Sequence, residues 1–160
     1  MTSKAQKPLS PWKAESPYSE KELGALAAQI ANELEPGDRV LLEGPLGAGK
    51  TTFTRSLLSS LQISQSTEGS PSFAIVHEYH SPKGDVAHLD FYRISSAEEI
   101  DEAGIPSYYW ERKMIVISEW LSNWPVFEAQ VITSGRTWKI NLKMDPNDSL
   151  RRLVSILRSE

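Results

Sequence analysis

The sequence predicts an α/β fold on a mostly parallel sheet that also carries an antiparallel hairpin. Three stretches predict it. Arg39-Val40-Leu41-Leu42-Glu43 is a short apolar run that leads through a glycine-rich turn into Phe53, Leu57, Leu58 and Leu61 at helical spacing, which is the order strand, loop, helix. Met114-Ile115-Val116-Ile117-Ser118 is continuously apolar, as suits a strand buried on both faces of a parallel sheet. Trp138, Ile140, Leu142 and Met144 alternate up to the turn cluster Asp145-Pro146-Asn147-Asp148. Leu150 to Leu157 then fits a short helix or a returning strand, and the hairpin favours the strand.

The remaining elements follow local signals. Ser19 and Glu22 have capping-box spacing, and Leu23, Leu26, Ala27, Ile30 and Leu34 continue it as a helix over about 20 to 34. Pro36-Gly37-Asp38 is a turn before the first apolar strand. Residues 62 to 70, rich in Ser and Gln, read as a loop. Phe73 to His80 is a β-rich run, Ser81-Pro82-Lys83-Gly84 turns it back, and Asp85 to Asp90 returns. Ser95 with Glu98, or Ser96 with Glu99, caps a short helix that ends near Gly104.

At 160 residues the chain has room for one domain with one core. Seventeen Lys and Arg against 21 Asp and Glu give a net charge of −4 and a pI near 5.5, which argues against broad nonspecific binding to nucleic acid or an anionic membrane. There is no cysteine, hence no disulfide or thiolate chemistry. No apolar run approaches the roughly 20 residues of a spanning helix, and the first residues lack the apolar stretch of a signal peptide, so the expected location is the cytoplasm, with no membrane partner. Residues 1 to 18 carry Pro8, Pro11 and Pro17 and read as a flexible arm with Trp12 and Tyr18 available to dock; residues 19 to 160 read as the domain.

Gly44-Pro45-Leu46-Gly47-Ala48-Gly49-Lys50-Thr51 has the spacing G-x-x-x-x-G-K-[ST]. Glycines at 44, 47 and 49 let successive N–H groups turn toward phosphate oxygens, and the helix starting near Lys50 adds its positive end. Lys50 then reaches the β- and γ-phosphates, and the Thr51 hydroxyl is placed for Mg²⁺. Such a site also needs acids at the carboxyl ends of neighbouring parallel strands, where Asp90 and Glu119 stand. Either is placed to hold the metal or to orient water, and each also reads as a solvated strand-end carboxylate. Arg93 is placed to neutralise phosphate charge or to pair with Asp90.

In order, these residues resemble the TsaE (YjeE/YdiB) family, small P-loop ATPases of bacterial tRNA threonylcarbamoyladenosine synthesis. Gly44 through Thr51, with Thr52 and Phe53, resembles the family's loop. Ser70-Pro71-Ser72-Phe73 with Glu78-Tyr79 resembles its switch-like segment, with Ser72 where the family usually has Thr. His88-Leu89-Asp90-Phe91-Tyr92-Arg93 resembles its H-x-D-x-Y-R, Glu98-Glu99-Ile100 with Gly104-Ile105 its following helix, and Glu119-Trp120 its E-W pair. The likeness covers roughly residues 20 to 121 and leaves the arm and the segment from Leu121 onward unmatched.

The resemblance implies a P-loop NTPase-type three-layer fold with a mixed, mostly parallel sheet and an antiparallel hairpin element. It implies ATP and Mg²⁺, slow partner-dependent ATP hydrolysis, and action with TsaB and TsaD homologues, with tRNA met indirectly through that complex. The implied nucleotide-binding set is Gly44, Leu46, Gly47, Ala48, Gly49, Lys50, Thr51 and Thr52. Thr51 and Glu119 fall at the metal, Lys50, Asp90 and Glu119 are the catalytic groups, and Ser70, Ser72, Arg93 and Trp120 lie at the switch or partner contact.

Other signals are weaker. His77 and His80, three apart on a strand, point to opposite faces and make a poor metal cluster with His88. Asp101-Glu102-Ala103-Gly104 matches D-x-x-G but sits at a helix end, and no N-K-x-D motif accompanies it. Lys139, Lys143, Arg151 and Arg152 suggest a basic stripe for tRNA, against the plainer reading of a solvated strand face. A small P-loop kinase is the rival function; it needs an acceptor pocket and an Arg-bearing lid, and the sequence has no Arg-rich lid segment.

Overall fold

The computed structural model describes residues 8–63 and 75–160. The elements are β1 (Ser10–Ser19), α1 (Glu20–Glu33), β2 (Arg39–Glu43), α2 (Lys50–Ser60), β3 (Val76–Ser81), β4 (Gly84–Asp90), α3 (Ala97–Glu102), α4 (Ile105–Trp110), β5 (Ile115–Glu119), α5 (Pro125–Thr133), β6 (Thr137–Asp145) and β7 (Asp148–Arg158), with a 3-10 turn at Leu121–Asn123. The strands form one sheet in the order β1-β7-β6-β2-β5-β4-β3. Its centre is parallel: β4 pairs with β5, β5 with β2, and β2 with β6. Both flanks are antiparallel, β3 on β4 at one side and β7 then β1 beyond β6 at the other. The predicted mixed sheet is present.

Strand alternation divides the core into two layers. Val40 and Leu42, Ile115 and Ile117, and Trp138, Ile140 and Leu142 pack with α1 and α2 on one face. Leu41, Val116, Ala87 and Leu89 face the other way, against Ile100 of α3, Ile105 and Tyr109 of α4 and Val131 of α5. All five residues of β2 and of β5 are buried, as the continuous apolar run at 114 to 118 requires. The capping box starts α1: the Glu22 amide donates to Ser19 Oγ at 3.2 Å and the Ser19 amide to Glu22 Oε2 at 2.9 Å. Asp38 fixes the turn before β2, accepting from the Glu35 amide and from Arg136 Nε, each at 2.9 Å.

The structure corrects several expectations. Residues 10 to 18 are no arm but the edge strand β1, paired with β7 from Ser10↔Arg158 to Ser19↔Arg151. The anchor is aromatic: the Trp12 ring meets Trp138 edge-on at 5.0 Å, and Tyr18 packs against the core. The prolines that suggested looseness suit an edge, where a missing N–H breaks no second ladder, and the pairing shifts register on either side of Lys13. The short helix α3 is capped by Ser96, and Gly104 in a left-handed conformation (φ 69°) redirects the chain into α4, which like α5 is not among the elements expected from the sequence. Leu150 to Leu157 is strand, as the hairpin reading favours. The first part of the expected strand at Phe73 lies outside the described residues. Among the described residues no helix is long and apolar enough to cross a membrane.

If β1 is an integral strand, Trp12→Ala should lower the unfolding free energy by about 2 kcal/mol in urea melts, whereas an undocked arm would change it by less than about 0.5 kcal/mol.

Candidate functional site

The site begins where β2 runs out. Glu43 ends the strand, Gly44 through Gly49 make the loop, and α2 begins at Lys50. Gly44 is fixed by sterics, because a Cβ there would lie 2.1 Å from the Leu142 carbonyl oxygen of β6. Gly49 is the helix N-cap in a left-handed conformation (φ 98°), and no side chain caps the helix. The first-turn amides of α2, with the positive end of its dipole, therefore open toward the cleft. Lys50 is buried; its Nζ donates to the carbonyls of Gly44 and Pro45 at 2.5 and 2.9 Å and sits 3.9 Å from the Trp120 ring centroid. Burial pushes the Lys50 ammonium below the usual lysine range, while Glu119, Glu43 and Asp90 pull it back up.

The opposite wall comes from the parallel ladder. Leu42 of β2 and Asp90 of β4 both lie in register with Glu119 of β5, so the two carboxylates end adjacent strands beside the loop. Glu119 is 4% exposed. Its Oε1 accepts a long bond from the Thr51 hydroxyl at 3.4 Å, and its Oε2 lies 2.6 Å from His88 Nε2. Asp90 is exposed and accepts the Tyr92 amide at 3.0 Å. Trp120, at a positive φ of 64°, packs against Tyr92 with the rings tilted and 5.0 Å between centroids. Below the loop, Glu43 accepts from the amide and hydroxyl of Ser122, and burial raises its carboxyl above the usual range.

Together these groups line a cleft of about 380 Å³, walled by Leu46, Gly47, Gly49, Lys50, Thr51 and Thr52 and by Asp90, Tyr92, Glu119, Trp120 and Arg152. Amide donors and an ammonium on one side and carboxylate and hydroxyl oxygens on the other suit an anionic phosphate together with a hard divalent cation. Of the expected loop residues, Gly44 and Ala48 do not line the cleft: Gly44 lies against β6, and the Ala48 methyl is in the core. Arg93 is exposed and is not a lining residue. Ser70 and Ser72 lie outside the described residues.

Three residues escaped the sequence reading. His88 reads from the sequence as the first residue of the H-x-D-x-Y-R motif and as a poor zinc ligand, yet it alternates with Asp90 on β4 and so shares the face of Glu119. Tyr92 appeared only within the motif. Arg152 was grouped into a basic stripe, which the pairing dissolves: Arg151 and Arg152 are consecutive on β7 and project to opposite faces, Lys139 pairs with Glu128, Lys143 with Glu15 and Arg151 with Asp148. Of the other histidines, His77 stacks on His88 at 6.3 Å and His80 pairs with Asp85.

Comparison with known proteins follows the same motifs. The family model described as threonylcarbamoyl adenosine biosynthesis protein TsaE matches residues 18–153. The chain belongs to the TsaE family. The match runs past Leu121, where the motif likeness stopped, through α5 and β6 into the first half of β7. A relative from Aquifex aeolicus, named tRNA threonylcarbamoyladenosine biosynthesis protein TsaE, is 38% identical over 98 residues, 59% of this chain and 74% of that protein. One of the same name from Rickettsia prowazekii is 43% identical over 86 residues, 54% of this chain and 60% of that protein. The crystal structure of Bacillus subtilis YdiB superposes with a TM-score of 0.66 at 27% identity, covering 94% of this chain and 87% of that one. The family acts in tRNA threonylcarbamoyladenosine biosynthesis.

The steric account of the loop predicts unequal glycines. Gly44→Ala should cost about 3 kcal/mol or more of stability in denaturant melts, whereas Gly47→Ala, with open space around its Cβ, should cost about 1 kcal/mol.

Proposed function

We propose that this chain binds ATP with Mg²⁺ in the cleft, hydrolyses it slowly, and serves as a nucleotide-dependent switch with TsaB and TsaD homologues in tRNA threonylcarbamoyladenosine synthesis. The observation that carries this reading is the facing of Lys50 and Thr51, on the glycine loop, by Glu119 and Asp90 at the ends of β5 and β4. The donor set fits Mg²⁺ bound partly through phosphates: among the described residues no three His, Cys, Asp or Glu side chains gather to hold a metal, but one hydroxyl and one or two carboxylates suffice when phosphate oxygens and waters complete an octahedron. Thr51 and Glu119 would hold the ion, which supplies charge neutralisation at the transferring phosphate.

The protein groups divide the work. Lys50 exchanges its carbonyl partners, Gly44 and Pro45, for phosphate oxygens, trading neutral acceptors for charged ones. His88 fixes the Glu119 carboxylate through one oxygen and leaves the other turned to Thr51. Asp90, exposed at the cleft, is positioned to orient the attacking water.

Steady-state ATP hydrolysis, measured alone and with a TsaB–TsaD complex, tests the reading with Lys50→Ala as the blank. Stimulation by the partners, absent in the blank, is expected; turnover only with a small-molecule acceptor would instead mark a kinase. Asp90→Ala and Glu119→Ala should keep much of the ATP affinity and lose hydrolysis, and calorimetry showing normal ATP affinity in Lys50→Ala would refute the loop assignment.

The lowered Lys50 value sets a pH dependence. Bound phosphate favours the ammonium, so ATP binding takes up a proton wherever ligand-free Lys50 is partly neutral. Affinity should be level at neutral pH and fall as pH rises through the depressed Lys50 value, below the ordinary 10.5. Calorimetry between about pH 7 and 10 checks it, and Lys50→Arg, which stays charged, should lack the falling limb.

A further inference from the structure

On the terminal hairpin, cations and carboxylates are matched with one exception. Lys139 faces Glu128, Lys143 faces Glu15, Arg151 faces Asp148 and Arg158 faces Glu33. Arg152 has no carboxylate partner among the described residues. Its Nη1 donates to the carbonyls of Ser149 and Arg151, each at 3.0 Å, which ties the fork to the start of β7. Its Nε is buried and meets no acceptor. A buried guanidinium N–H without an acceptor is costly, and its natural complement is an anion.

The fold says where that anion would lie. Arg152, Val154 and Ile156 alternate on β7, and the two apolar members pack in the layer with α1 and α2, so Arg152 projects toward the α2 side, beyond the edge of that core. There it lines the cleft, and its Nε is 3.8 Å from the point where a Cβ on Gly49 would stand. The strand beneath the loop, β2, has β5 on one side and β6 on the other, so Glu119 and Asp90 flank the loop from one direction and Arg152 from the opposite one. A nucleotide whose terminal phosphate and metal lie by the carboxylates must extend its nucleoside end toward the hairpin.

We propose that Arg152 is a nucleotide-binding residue whose guanidinium grips the α-phosphate of bound ATP or ADP from the side of the loop opposite Glu119 and Asp90. This rests on the ATP reading above. The planar fork suits two phosphate oxygens, and the α-phosphate is present before and after hydrolysis, so Arg152 holds the nucleotide without sensing whether the γ-phosphate is there.

The test is calorimetric titration of ATP and of ADP into the wild type, Arg152→Gln and Arg152→Lys, with ligand-free melting temperatures measured alongside. Arg152→Gln should raise both Kd values by about 10-fold or more while their ratio stays within about two-fold of the wild type. Arg152→Lys, which keeps charge but lacks the fork, should fall between them. Unchanged affinities in Arg152→Gln overturn the proposal, and so does a loss confined to ATP, which would put the guanidinium at the γ-phosphate. If Arg152→Gln melts lower than the wild type, the Lys variant decides: wild-type ADP affinity would leave Arg152 a purely structural role and overturn the proposal, while about three-fold weaker ADP binding supports it. A wild type that binds neither nucleotide fails the ATP reading itself, which separates that failure from failure of the Arg152 assignment.

Discussion

Parallel registration of three strands is the constraint on which the site depends. Leu42 and Asp90 both align with Glu119, so the start of the glycine loop and two carboxylates arrive at one level of the sheet. A slip of one residue in β5 would turn Glu119 from the α2 layer to the opposite face and take it from both Thr51 and His88. The full burial of β2 and β5 makes such a slip costly, since every alternate side chain would exchange one packed layer for the other. The geometry at the loop is thus secured by the hydrophobic patterning of β2 and β5.

The second constraint is backbone against backbone. The Leu142 carbonyl comes so close to Gly44 that the first loop residue has no space for a side chain, which joins the loop to β6 as well as to its own strand. The loop is therefore framed on both sides, by β5 and β4 with Glu119 and Asp90 and by β6 with the hairpin that carries Arg152. Within this frame Lys50 is the central charge. It loses hydration, gains two carbonyls and an aromatic face, and lies under the combined field of three carboxylates.

Much of this was legible in the sequence where the signal was local. The glycine spacing, the apolar run of β5, the capping box at Ser19 and the alternation of β6 each report on their own neighbourhood, and each appears in the structure. What escaped depended on contacts distant in sequence. Residues 1 to 18 look loose for their three prolines, yet within them Trp12 finds Trp138 across the sheet. His88 and Glu119 meet only once β4 and β5 are paired. Arg152 reads as part of a basic stripe when charge is taken along the hairpin, and only the strand pairing separates its face from that of Arg151.

The pairing of β1 with β7 also brings the start of the first strand beside the end of the last. The cleft lies at the carboxyl ends of the parallel strands, and β7 runs antiparallel to β6 away from it. Arg158 is thus at the far end of the sheet, and Ser10 lies beside it, its hydroxyl donating to the Arg158 carbonyl at 3.3 Å. Ser10 and Arg158 thus share one corner on the side remote from the loop, so a fluorophore attached at either position would leave the mouth of the cleft clear.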